Sequence, residues 1–229
     1  FKMIPTFEEK VLEHKNGHYL VQDWMGAITE ISDEYDYTYI RRAKDFVTRK
    51  WHKFPVENRK DWEEKMKWRY DAEDEEPFWQ VREWVGMENL CIMMKDDPEF
   101  VKDMISFWID FVAATMEPIL ENIEVDAVMV GEDMAFKEHS MISPEMVREF
   151  LQPAYEVWVP QIKESGCPIV DMDSDGYIGN LIPIWIESGF NCCDHIEVAA
   201  GNDIVKYREK FGKKIAYRGG IDKRALAAG

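Results

Sequence analysis

Val170-Asp171-Met172-Asp173-Ser174-Asp175-Gly176-Tyr177-Ile178 decides how this chain is read. The apolar run Cys167-Pro168-Ile169-Val170 leads into it, three carboxylates follow within five residues, and Gly176 closes the turn. Beyond it Ile178, Leu181, Ile182, Trp185 and Ile186 share one helical face. A strand that ends in clustered acids and feeds a helix is how an open or closed α/β fold presents chemistry at the carboxyl edge of its sheet. Asp171, Asp173 and Asp175 stand two apart, so they share a face while the strand lasts. Like charges so close raise one another's pKa unless something positive compensates them. A divalent metal, a basic substrate or Arg218 would serve. The plainer alternative is an Asx turn in which Asp175-Gly176 reverses the chain.

Outward from this stretch the pattern repeats. Residues 125–130 read as a buried strand ending in Gly131-Glu132-Asp133, and Ser143-Pro144-Glu145 starts a helix with a cap and a first-turn proline. A second helix is expected over about 153–165, then a strand at 168–172 and a helix at 178–188. Residues 190–193 form a short strand ending in Asp194-His195-Ile196-Glu197, and Asn202 or Asp203 caps a helix to Phe211. A last strand at 214–217 ends in Arg218-Gly219-Gly220-Ile221-Asp222 before another helix start. Four successive β–α units imply parallel strands with right-handed crossovers. Polar groups close all four, as at the rim of a (β/α)8 barrel. The fold class expected is therefore α/β, a (β/α)8 TIM barrel incomplete in this chain. A doubly wound sheet would bring only two of the four ends to a crevice, and no glycine-rich phosphate fingerprint follows any strand.

Residues 1–229 read as a single barrel domain in which 1–70 is an accessory region. Thr6-Phe7-Glu8-Glu9 has the capping-box pattern of a short helix, 18–31 reads as a hairpin around Gly26, and Asn58 caps a helix over 59–70. Trp24, Trp51, Trp62 and Trp68 are either a ring-binding box or, more plainly, packing of this accessory layer. The acidic run 71–76 reads as a solvated loop. After it Met87 opens a helix, and Asp97-Pro98 starts the longest one, with Val101, Met104, Ile105, Trp108, Val112, Thr115, Met116 and Ile119 at helical spacing.

The bulk numbers narrow the partners. Forty-five acids against 28 bases give a net charge of −17, a field that repels nucleic acid and anionic membrane. Four cysteines, two of them adjacent (Cys192, Cys193), make no disulfide framework, so a reduced cytoplasmic setting is expected. No apolar run approaches the roughly 20 residues of a membrane span. The chain starts at Phe1 and stops at Ala227-Ala228-Gly229 soon after a helix start, so both ends read as cuts.

The site candidates sit at the four strand ends. Glu132 and Asp133 fall on opposite faces by alternation, so only one of them points into the barrel mouth; the plainer alternative for this strand end is a helix-capping or loop-fixing role. His195 and Glu197, with Cys192 and Cys193, supply imidazole, carboxylate and thiolate, though at no recognised zinc spacing. Arg218 and Asp222 either anchor an anionic group or pair with the neighbouring acids.

Glu132-Asp133-Met134-Ala135, Ile142-Ser143-Pro144-Glu145-Met146 with Phe150, and Pro153-Ala154-Tyr155 together resemble the uroporphyrinogen decarboxylase superfamily. Asp173-Ser174-Asp175-Gly176 with Leu181-Ile182-Pro183, Glu197-Val198-Ala199-Ala200-Gly201-Asn202-Asp203 and Gly219-Gly220-Ile221-Asp222-Lys223-Arg224 extend the resemblance in order from about Glu83 onward. That superfamily is a (β/α)8 barrel, usually longer than this chain by about 100 residues, with a strand before Glu83-Trp84, so residues are expected to be missing near 74–77. It holds decarboxylases of haem biosynthesis and methyltransferases that work with a corrinoid protein. In the zinc methyltransferases a His-x-Cys pair stands where this chain has Asp173-x-Asp175. Carboxylates are harder ligands than thiolates, which moves the expectation from a thiol-activating zinc to a divalent metal, zinc included, on Asp173, Asp175 and His195. The resemblance implies an enzyme, a methyltransferase passing a methyl group from a small methylated substrate to a corrinoid carried by a partner protein, and a homodimer. Catalysis would fall to Glu132, Asp173, Asp175 and His195, and substrate binding to Asp133, Glu197, Arg218 and Asp222. The alternatives are uroporphyrinogen decarboxylation in porphyrin biosynthesis and a non-catalytic ligand-binding barrel. An acid-rich mouth repels a polyanionic porphyrinogen and suits a neutral or cationic donor.

Overall fold

The computed structural model of the chain describes residues 5–34, 49–70 and 77–228; the acidic run 71–76 and most of the 74–77 region suspected of a gap lie outside them. Contacts divide the chain into two compact units, Phe1–Glu73 with Val81–Met93, and Asp74–Gln80 with Met94–Gly229. Two helices, α2 (Pro77–Val85) and α3 (Met87–Asp96), run through these boundaries.

The first unit carries an antiparallel sheet of β1 (Lys10–Lys15), β2 (His18–Gln22), β3 (Ile28–Ser32) and β4 (Lys50–Lys53), paired in that order. The hairpin expected around Gly26 is β2–β3. Its turn is held by Asp23, whose Oδ1 accepts from the Met25 and Ala27 N–H groups at 3.0 Å each. The helix expected at Thr6 does not form. Phe7 N–H donates to the Trp24 carbonyl and Gln22 Nε2 to the Glu8 carbonyl, so the segment is tied along the hairpin before β1 begins. Asn58 does cap its helix, Oδ1 accepting from the Asp61 N–H at 3.0 Å. That helix, α1 (Arg59–Asp61), widens over Trp62–Met66 and tightens over Lys67–Arg69. Trp62 is buried against Trp84, ring centroids 4.6 Å apart, so it serves packing.

The second unit is mixed α/β. Helix α4 (Pro98–Asn122) starts as expected, with Asp97 Oδ1 accepting from the Phe100 N–H. The parallel strands are β5 (Ala127–Gly131), β6 (Ile169–Asp173), β7 (Cys192–Ile196) and β8 (Ala216–Gly219), in sheet order β5-β6-β7-β8. The two helices expected between β5 and β6 are one helical path. Ser143 caps α5 (Pro144–Met146), a wide turn follows at Val147–Leu151, and α6 (Gln152–Glu164) continues. Pro153 offers no N–H to a regular ladder, and a widened turn just before it absorbs the missing bond. Helix α7 (Ile182–Glu187) is shorter than the 178–188 expected, because Pro183 favours a first-turn position; the Ile178 N–H donates to Asn202 Oδ1. Helices α8 (Ile204–Phe211) and α9 (Lys223–Ala228) complete the unit, and Asp203, not Asn202, caps α8.

The two faces of the parallel sheet differ. Val130, Val170, Met172 and Cys193 are buried under the helix layer, where Trp158 Nε1 ties α6 to α4 through the Ile109 carbonyl. On the opposite face Met129 is 55% exposed and Ile169 42%, so β5 is less buried than its apolar run suggested. A closed barrel takes eight strands; among the described residues the parallel sheet has four, and they do not close. No helix among the described residues is long and apolar enough to cross a membrane.

Candidate functional site

Parallel register brings chemistry together at the carboxyl ends of β6, β7 and β8. Asp173 pairs with Asp194, and Asp171 with Cys192, so all four lie on the open face of the sheet. His195 Nδ1 lies 2.9 Å from Asp173 Oδ1. Asp173, Asp194 and His195 each offer a ligand atom within 4.8 Å of the other two, the one such set among the described residues. Asp194 is buried, and its Oδ2 receives both Nε (3.0 Å) and Nη2 of Arg218. Its Oδ1 is buried with no hydrogen-bond partner among the described residues. Arg218 Nη1 also lies 3.3 Å from Asp171 Oδ2, so one guanidinium serves acids from two strands.

Burial sets the protonation of this face. It raises the Asp171 and Asp173 carboxyls above their ordinary value of 3.8, against the lowering influence of Arg218 on the first and His195 on the second. Burial, with the Asp171 carboxylate beside it, pushes the Cys192 thiol up to about 12, and Cys193 on the helix side is raised too. Both thiols therefore stay protonated near neutrality in the ion-free chain.

The loops beyond the strands are tied to one another. Ser174 Oγ accepts from the Met134 N–H at 3.1 Å, and Asp133 Oδ1 accepts from the Asp175 N–H at 3.1 Å. Asn202 Nδ2 donates to the Gly176 and Glu197 carbonyls, while its Oδ1 accepts from Tyr207 Oη at 2.7 Å. Gly176 has φ +81°, and a Cβ there would meet the Ala135 carbonyl oxygen at 2.4 Å, so this position demands glycine. A pocket of about 200 Å³ opens beside His195, lined by Asp175, Glu197, Val198, Gly220, Ile221 and Lys223 among others. Lys223 Nζ, 3.1 Å from Glu197 Oε1, holds that carboxyl below its ordinary range. Asp222 is lowered to about 2 by Arg224.

The predicted residues thus separate. Asp173 and His195 meet; Arg218 joins them through Asp194. Asp175 lies past the strand, 3.9 Å from His195 and largely exposed, so the compact donor set takes Asp194 in its place. Glu132 is fully buried, its side chain accepting from Tyr155 Oη at 2.8 Å while its backbone N–H donates to the Asp173 carbonyl at 2.9 Å. Asp133 supports the loop, Glu197 and Asp222 border the pocket, and Asp222 also caps α9 through the Arg224 N–H. Asp194 was missed because the strand was expected to end at Cys193. It runs on to Ile196, and inter-strand register, which a single sequence does not display, sets Asp194 against Asp173.

No protein-family profile matches this chain, and no curated protein sequence does. Solved structures do match in fold. A methyltransferase from Methanosarcina mazei superposes with a TM-score of 0.51 at 13% identity, over 62% of this chain and 40% of that one. The fold is shared with that protein. The chain spans less than half of its neighbour's length.

Proposed function

We propose that this chain belongs to a (β/α)8-barrel methyltransferase of the uroporphyrinogen decarboxylase superfamily, moving a methyl group from a small neutral or cationic donor to a corrinoid on a partner protein. The observation that carries this is the set Asp173, Asp194 and His195, gathered at the carboxyl ends of adjacent parallel strands. The sequence motifs and the fold shared with a methyltransferase support it.

Two carboxylates and an imidazole suit a divalent metal such as zinc or manganese, and the unpartnered Asp194 Oδ1 is an oxygen such an ion would satisfy. The ion would supply Lewis-acid polarisation of the donor's heteroatom. The remaining work falls to the chain. The pocket beside His195 holds the donor, its surplus of carboxylates favouring a neutral or cationic one. An ether or amine leaves poorly unless protonated, and Asp175, which lines the pocket outside the metal-holding set, is the side chain placed to relay that proton. Glu132, tied to Tyr155, keeps a structural part.

The test is turnover by the full-length protein of methylated amines and aryl methyl ethers with cob(I)alamin, set beside turnover of uroporphyrinogen. Methyl transfer is expected, falling about 100-fold or more in Asp173→Asn and His195→Ala. Decarboxylation of uroporphyrinogen without methyl transfer would sink the proposal, and inactivity in both assays would point to a ligand-binding module.

A further inference from the structure

We infer that Arg218 is a positioning residue that fixes the Asp194 carboxylate, so that Oδ1 stays presented to a divalent cation shared with Asp173 and His195. The inference rests on the metal reading proposed above and adds a residue that touches neither the ion nor the donor. Three adjacent strands contribute: Asp171 from β6, Asp194 from β7 and Arg218 from β8. The terminal torsion of an aspartate is broad and roughly two-fold. Left alone, the Asp194 carboxylate would exchange its two oxygens. Two N–H groups of Arg218 on Oδ2 remove that freedom, and the Asp171 carboxylate, 3.3 Å from Nη1, attracts the guanidinium from the neighbouring strand.

What remains is Oδ1, in a residue only 2% exposed, without a hydrogen-bond donor among the described residues. A buried carboxylate oxygen left open is costly, and Asp194 offers a carboxylate oxygen within 4.8 Å of ligand atoms of Asp173 and His195. Charge neutralisation alone would need only a cation near Asp171 and Asp194, which a lysine ammonium provides. Orientation needs the planar fork, which a lysine lacks.

Zinc titration of the full chain by calorimetry separates the two roles. Native protein is expected to bind one zinc, and Arg218→Lys to bind it about tenfold or more weakly, the loss typical of residues that orient metal ligands. Asp194→Asn is expected to weaken binding at least as much. In the double variant Arg218→Lys/Asp194→Asn the affinity should fall no further than in Asp194→Asn alone, because Arg218 acts through that carboxylate. The absorption spectrum of the cobalt(II)-loaded protein should change in Arg218→Lys toward that of Asp194→Asn. Affinity in Arg218→Lys within about twofold of native, or additive losses in the double variant, would overturn the positioning role while leaving the metal reading intact. A native chain that binds no zinc would bring down the metal reading first, and this inference with it.

Discussion

Asp171 shows how one side chain records the balance of its surroundings. It is nearly inaccessible, close to Arg218, and yet its carboxyl is raised, because burial outweighs the guanidinium. Its folded pKa therefore lies above the unfolded value near 3.8, and between the two the folded chain binds the extra proton. The stability that this carboxyl contributes is complete at low pH and is lost as pH rises through the folded value. Asp171→Asn removes the titration while keeping the shape. In urea unfolding followed from about pH 4 to about pH 7, the variant should lose less stability than the native chain. Parallel curves would mean that Arg218 compensates Asp171 in full. At this scale the sequence was informative about Asp171, Asp173 and His195, whose residue types announce themselves. It was silent on Asp194, whose role depends on which residue lies across the strand pair.

Elements were legible where a local signal sets them. Asn58, Asp97 and Ser143 each cap the helix that follows, through bonds that need only the neighbouring turn. Thr6 carries an equally good local signal and fails, since the hairpin claims the backbone of Phe7 and Glu8 first. The path from α5 to α6 was hidden for a related reason: Pro153 argues locally for a break, whereas packing of α6 against α4 and the sheet carries the helix across it. Tyr155 on α6 reports that packing, its hydroxyl donating to buried Glu132 and its ring standing edge-on to Phe190. Tyr155→Phe keeps the ring and deletes the donor to a buried acid. Its expected cost is about 1.5–3 kcal/mol by urea denaturation; an unchanged midpoint would mean that other partners of Glu132 suffice.

For the whole molecule, the four parallel β–α units followed from the order of motifs, because each strand–loop–helix pattern is repeated and complete within the sequence. Closure into a barrel is a property of the full strand set, and the described residues hold four parallel strands. The net charge of −17 acts at the same scale. A field of that sign should leave a duplex or single-stranded oligonucleotide unshifted in a gel assay at low salt, where attraction would be strongest. Retardation there would overturn the exclusion of nucleic acid and direct attention to a local basic surface.

The Asn202 amide bridges the loop after β6 and the loop after β7 with three hydrogen bonds, and its Oδ1 takes a fourth from Tyr207. The entropy of ordering those loops is thus spent during folding rather than on ligand arrival. Any ligand that entered the pocket beside His195 would meet walls already set, so its affinity would not carry the cost of ordering them. Asn202→Ala would shift that cost to the binding step, and the loss would surface in calorimetry as a less favourable binding entropy even though Asn202 does not line the pocket.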